Sequence, residues 1–439
     1  MSEQERAPAL MRAEPIHRLT VPFQRFLHVE AAGGVVLLVA TVTALVLANS
    51  SAAESYAAFW KTKVGFEFGS FQFKHSLQHW INDGLMVIFF FVVGLEVKRE
   101  LVVGELRDMR RAALPIAAAL GGMLVPALLY LATQWGEPGQ RGWGIPMATD
   151  IAFVVGCMAV MGSRVPRSLR VFLLSLAIAD DIGAILVIAI GYTESVDTTS
   201  LLLALVGVAV VVACARVGVR SFAVYTILGA LIWYGFHESG VHATIAGVIL
   251  GLLTPARSYV SSGVFAEMLE RVHDVVHGDW EAESHRAEKV QSFQAATREM
   301  VPPTEYLEHT LHPWVSFGIM PLFALANAGV AIRVSDLTSP VAIAIMLGLV
   351  VGKPVGILLF SWIAVTLKWA RLPEGVGWRL ITAGGCLAGI GFTMAIFIAG
   401  LAVEGELLAD AKVGILGASL LAALLGLSLI GTSSRSSSA

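Results

Sequence analysis

The sequence predicts an all-α polytopic membrane protein of about twelve transmembrane helices, and three observations carry that expectation. Of its residues, 56% are hydrophobic and only 14% charged, with a mean hydropathy of +0.74, whereas a soluble domain carries roughly a quarter charged residues. Apolar blocks of near-spanning length recur from "GGVVLLVATVTALVLAN" to "VGILGASLLAALLGLSLIG", where a soluble core would alternate polar and apolar faces. The basic residues are also biased to one side. With the N-terminus inside, 23 of the 30 Lys and Arg fall on the inner side and 6 on the outer, and Lys353 is left over within a span. That bias predicts both termini in the cytoplasm.

Taken in order, residues 1–30 are polar, mixed in charge and Pro-containing, and read as a cytosolic tail rather than a targeting sequence. Spans 1 to 8 fill residues 31–253, near 31 to 49, 78 to 101, 113 to 133, 144 to 161, 170 to 192, 200 to 215, 221 to 235 and 241 to 253. The seventh and eighth are short and separated by "HESG". Fusing them would turn the basic loop after Trp369 outward, so the charge bias argues for two spans. Residues 254–305 form a long polar cytosolic loop whose "AEMLERVHDVVHGDWEAESHRAEKV" has near-helical apolar spacing among many charges. Its His273, His277 and His285 read as solvated histidines; as a metal site they lack a cysteine, and the i, i+4 pair supplies only half the ligands. Residues 306–431 carry spans 9 to 12, near 311 to 332, 340 to 366, 380 to 402 and 411 to 430, and 432–439 is a Ser-rich cytosolic tail. Cys157, Cys214 and Cys386 stand singly in apolar segments, which suggests packing rather than a disulfide or zinc site.

The charges within the spans point to function. A carboxylate at bilayer depth costs roughly 2.5 to 3.5 kcal/mol even on mild insertion scales. In "LAIADDIGA", Asp180 and Asp181 lie close to mid-span, where short side chains reach neither interface. Neighbours on a helix point about 100° apart, so one lines a cavity while the other meets a partner on another span. Lys353 in "GLVVGKPVG" is the available cation, either as a pairing partner that permits insertion or as a proton carrier, and Pro354 after it loosens the helix. Asp150 in "GIPMATDIAFVVG" reads as a mid-membrane helix start, with Thr149 or Asp150 as N-cap behind Pro146. Gly384, Gly385, Gly389 and Gly391 weaken span 11 before Thr393 in the same way. Two interrupted segments in different halves of a chain are a transporter's binding-site signature. Span 2 opens with Asp83, a cap at the outer surface or part of an outer route. It closes with Glu96, Lys98, Arg99 and Glu100, a salt-bridged helix end or a gate. His242 in "SGVHATIAG" is a structural histidine or a titrating group.

Together, "WINDGLM", "GLEVKREL", "GGMLVPALLYLA", "ATDIAF", "LAIADDIGA", "SGVHAT", "HPWV", "PLFALANAGV", "GKPVG" and "GIGFTMAIFIA" resemble, in order, the NhaA family of bacterial sodium/proton antiporters over about Ala31 to Gly431. The resemblance, and not any periodicity, implies inverted-topology repeats with spans 4 and 11 unwound and crossing near the midplane; this family is itself a worked case of that architecture. It further implies that Asp180 and Asp181 are the Na+ and H+ site, that Thr149 and Asp150 line or balance the crossing, and that Lys353 pairs with Asp180. Asp83 belongs to the outer route, and Glu96, Arg99, Glu100, His242, Glu308, His309 and His312 to a pH-responsive region. The implied activity is exchange of cytosolic Na+, and Li+, for external H+, electrogenic and pH-regulated, serving sodium and pH homeostasis. The implied setting is a homodimer spanning the lipid bilayer of the bacterial plasma (inner) membrane, with no cofactor, no nucleic acid and no enzymatic activity. Glu305 and Tyr306 stand where family members carry basic residues, and the 254–305 loop is longer than theirs, which bears on the pH set-point and not on the transport site.

Competition supplies the mechanism. A carboxylate pair holds a small cation or protons but not both fully, so one site exposed alternately to each side exchanges them, and the acids and Lys353 titrate as a coupled set. The chain carries no GxxxxGK[ST], which argues against an ATP-driven pump. The rival readings are an intramembrane aspartyl protease, whose aspartates must face each other from two helices, and a channel. Sodium-coupled proton movement in sealed vesicles separates all three.

Overall fold

The computed structural model describes residues 30–68, 71–193, 196–219, 221–257 and 301–435. The N-terminal tail and most of the 254–305 loop, with His273, His277 and His285, lie outside the described residues.

Helix α1 (Glu30–Ala48) is followed by α2 (Ala53–Lys61) at a bend of 114°, so the chain turns sharply at the end of the first apolar segment. A two-stranded antiparallel hairpin comes next, β1 (Lys63–Phe68) and β2 (Phe71–Ser76), in register from Lys63 opposite Ser76 to Phe68 opposite Phe71. It departs from a purely α fold. Its signal is present in "KVGFEFGSFQFKHS", where aromatic and polar residues alternate with the period of two that a strand requires.

The remaining helices are α3 (Leu77–Val102), α4 (Met109–Gln134), α5 (Ile151–Met161), α6 (Arg167–Gly191), α7 (Thr198–Val217), α8 (Phe222–Glu238) and α9 (Thr244–Leu253). After the long loop, α10 runs over Pro303–Trp314 and continues through a π turn at Val315–Ile319 into Met320–Asn327. Then come α11 (Pro340–Thr366), α12 (Trp378–Ala388), α13 (Phe392–Ala402) and α14 (Gly405–Arg435). Six of these helices are long and apolar enough to cross a membrane, and joining the bent pairs brings the total to nine among the described residues. Helices α8, α9 and α10 occupy the other three predicted segments.

Apolar residues face outward as well as inward. Leu202, Leu203, Leu205 and Val206 of α7 and Phe222, Ile227 and Leu231 of α8 are exposed, a density of outward apolar side chains that soluble monomers rarely carry. Helices α4 and α11 touch backbone to backbone: a Cβ on Gly121 would stand 2.1 Å from the Gly356 carbonyl oxygen, and one on Gly356 would stand 2.0 Å from that of Gly121. Close approach through small residues is how apolar helices associate where there is no hydrophobic drive between them.

Two boundaries differ from the sequence reading. Helix α14 begins at Gly405 rather than near 411, so Lys412 lies half-buried within the helix rather than at its start. Helix α10 begins at Pro303 rather than near 311, since proline suits the first helical position, where no backbone donor is needed. The polar "PTEYLEH" therefore belongs to the helix, a continuation that hydropathy does not detect.

Candidate functional site

Two chain breaks meet at the centre of the fold. The first lies between a 3-10 run (Pro138–Met147) and α5, bent by 44°, and the second between α12 and α13, bent by 48°. Extended residues Ala148 to Asp150 pass beside Gly389 to Gly391, and the Asp150 amide donates to the Ile390 carbonyl at 2.7 Å. Gly391 eases this approach, because a Cβ there would stand 3.1 Å from the Ala148 carbonyl oxygen, and Gly389 lets α11 close in behind it, since a Cβ there would stand 2.4 Å from the Leu349 carbonyl oxygen.

Helix ends at such breaks expose unpaired amides and carbonyls, which bring partial positive and negative charge to the fold's interior. Three of the four ends are met by a charged side chain of opposite sign, and the fourth, at the Ala388 carbonyl, by the Thr149 hydroxyl. Asp150 caps α5 through its Oδ1, which accepts from the Phe153 amide at 3.3 Å, while its Oδ2 accepts from the Thr393 amide at 3.0 Å and from the Thr393 hydroxyl. One carboxylate thus serves the N-terminal ends of α5 and α13. Lys353 serves the opposite polarity, since its Nζ donates to the Met147 carbonyl at the end of the 3-10 run. A π turn (Leu347–Gly352) leads into Lys353, the irregularity expected where Pro354 removes a helical donor.

Asp180 and Asp181 face this junction from the middle of α6, both buried. Lys353, with no exposed surface, donates to Asp180 Oδ2 at 2.8 Å. The Thr149 hydroxyl lies 2.7 Å from the same oxygen and 3.0 Å from the Ala388 carbonyl, so its single proton serves one of them at a time. Asp180 Oδ1 is buried and has no hydrogen-bond partner among the described residues. A buried acceptor left open in this way costs free energy unless a cation or proton meets it. Asp181 feels the charges of Asp180, Glu96, Lys353 and Asp150.

Five residues singled out in the sequence, Thr149, Asp150, Asp180, Asp181 and Lys353, are therefore brought together. The others divide between the two ends of the bundle. Asp83 and His242 line a cavity of about 260 Å³ with His79, Asn82, Asn327 and Phe397. Asp83 is not a helix cap: Ser76 caps α3 by accepting from the His79 amide at 3.2 Å, and Asp83 sits inside the π turn Trp80–Leu85. His242 Nε2 contacts the Tyr192 carbonyl oxygen at 3.2 Å. At the other end Arg99 bridges to Glu308 at 2.8 Å, Glu100 accepts from the Glu105 amide at 2.9 Å, and His309 and His312 are exposed. Glu96 feels both Glu308 and Arg99 while acting on Asp181, and so links that end to the centre.

Sequence reading missed the amide pair that closes the cavity. Asn327 donates to Asn82 Oδ1 at 2.7 Å, and Gln78 donates to Asn327 Oδ1 at 3.0 Å; the available signal was Asn327, the lone polar residue of "PLFALANAGV". It also missed the Met147 carbonyl as a Lys353 partner, which no side-chain pattern reveals.

The family described as Na+/H+ antiporter 1 matches residues 24–430. The Na+/H+ antiporter NhaA of Rhodopirellula baltica is 59% identical over 418 residues, covering 95% of each chain. The Na+/H+ antiporter NhaA of Rhizobium meliloti is 54% identical over 414 residues, covering 94% of this chain and 95% of its own. Similarity to the antiporter NhaA 2 of Acidiphilium cryptum is 51% over 416 residues.

Proposed function

The chain belongs to the Na+/H+ antiporter 1 family, and from that premise we propose that it exchanges cytosolic Na+, and Li+, for external H+ at Asp180 and Asp181. The observation that carries this reading is the buried pair at the meeting point of two helix breaks, with Asp180 Oδ1 open and Oδ2 engaged by Lys353 and Thr149. An open carboxylate oxygen beside a second carboxylate is a donor set for a small hard cation. The same oxygens take protons, so each ion displaces the other, and the stored gradient of one drives the other without a chemical step.

In this reading Lys353 holds Asp180 in place and balances the charge left when the cation leaves, while Asp150 and Thr149 keep the two breaks apposed as the site turns from one side to the other. Asp83 and the cavity it lines form the outer route. Glu96, Arg99, Glu100, His242, Glu308, His309 and His312 form a set that adjusts activity with pH. The chain crosses the bacterial inner membrane twelve times as inverted repeats, with both termini cytoplasmic, and works as a homodimer in lipid. More than one proton moves for each Na+, so the exchange carries current.

Asp181→Asn tests the site. The amide keeps the volume and loses the charge, so in proteoliposomes the variant inserts and melts like the parent but shows no sodium-driven proton movement. Exchange at the parental rate overturns the assignment.

A further inference from the structure

At the hairpin end of the bundle three imidazoles converge from three elements: His75 on β2, His79 in the first turn of α3 and His237 in the last turn of α8. One ring nitrogen of each lies within 4.8 Å of the others. His75 and His79 stack at 4.3 Å, and His237 stands edge-on to them at 5.3 and 5.4 Å. A carboxylate completes the group, since Asp83 Oδ2 is 3.6 Å from both His79 Nε2 and His237 Nδ1. That separation is too long for a hydrogen bond. Among the described residues His79 Nε2 is accordingly buried without a hydrogen-bond partner, an arrangement that ring packing alone leaves unexplained.

We propose that His75, His79 and His237, with Asp83 as fourth ligand, form a site for a divalent transition metal of the Zn2+ class. Three imidazoles and one carboxylate match Zn2+ and its neighbours, whereas Ca2+ and Mg2+ require mainly oxygen ligands. Tetrahedral ligation with Zn–N near about 2.1 Å places ligand atoms about 3.4 Å apart, so the present spacing closes by side-chain rotation. The rings are held for it from outside. Phe73 packs edge-on to His75 at 4.7 Å and to His237 at 5.9 Å, and Trp233 stacks on His237 at 5.8 Å. Occupancy staples the hairpin to α3 and α8. It also engages His79 and Asp83 where they line the cavity; the binding itself is independent of the transport reading.

The test uses untagged full-length protein purified in detergent with chelator and then freed of it. Zn2+ titration calorimetry is expected to show one saturable site per chain, and Co2+ to give the intense visible bands of a tetrahedral centre. His75→Ala with His237→Ala lowers the affinity by at least about a hundredfold, with the metal-free melting temperature unchanged. Should that double variant fold poorly, His75→Gln alone, at the strand end, weakens binding and bleaches the Co2+ bands. Replacing His273, His277 and His285 leaves binding intact. Absence of a saturable site, unchanged affinity in the His75 and His237 variants, or loss of binding on changing the loop histidines overturns the proposal.

Discussion

Replacing Lys353 by alanine removes the ammonium from Asp180 Oδ2 and from the Met147 carbonyl at one stroke. Both partners are buried, so water does not replace what is lost. Breaking a buried ion pair from one side costs about 3 to 5 kcal/mol, because the remaining charge is left uncompensated. The orphaned carbonyl is worth about 1 to 3 kcal/mol by itself, but Thr149 still contacts Asp180 and protonation of Asp180 limits the total. We therefore expect a loss near the upper end of the pair's range, read as unfolding free energy in mixed micelles titrated with SDS and followed by tryptophan fluorescence. The double variant Lys353→Ala with Asp180→Asn separates pairing from packing. It should be more stable than Lys353→Ala alone, since an amide in place of the stranded carboxylate carries no charge, and the cycle should give a coupling of at least about 1.5 kcal/mol. A parental unfolding free energy in Lys353→Ala, or simple addition of the two losses, would refute the pairing argument.

Two further outcomes follow from the packing and the loop. Gly121→Ala pushes a methyl group into the Gly356 carbonyl oxygen, so it should separate α4 from α11, cost roughly 1 to 3 kcal/mol as overpacking does and slow exchange by shifting Lys353. Gly318→Ala, where a Cβ meets nothing within 4 Å, should be silent in the same SDS-unfolding assay, and equal losses at both positions would remove the close-approach argument. Deleting Val260 to Ala296 should leave exchange intact, because the Thr304 amide already donates to the Pro255 carbonyl at 3.3 Å and loop length is entropically cheap. A well-folded deletion that is inactive at every pH would make the loop part of the transport path.

The centre of the molecule was legible because its residues break a local rule. Acids in apolar runs, a lysine with no loop to belong to and glycine clusters inside spans each carry a cost that sequence alone reveals, and the structure brings Asp150, Asp180, Asp181, Thr149 and Lys353 together at one junction. What stayed hidden has physical causes of another kind. The hairpin is short and lies between apolar helices, so hydropathy absorbed it into a loop. The His75, His79 and His237 cluster joins residues remote in the chain, and Met147 acts through its backbone. The start of α14 was set six residues late because the helix begins at Gly405, before the point where the side chains become apolar. Asp83 resembled a cap by position, but Ser76, seven residues earlier, takes that role.

The central claim is that Na+ and H+ compete for Asp180 and Asp181. Sodium-jump currents on solid-supported membranes, recorded at several pH values, test it most directly. Apparent Na+ affinity should weaken as pH falls, by up to about tenfold per pH unit for each competing proton. The dependence should survive replacement of His242, His309 and His312, which can move its midpoint only. A sodium affinity that is flat with pH contradicts the account.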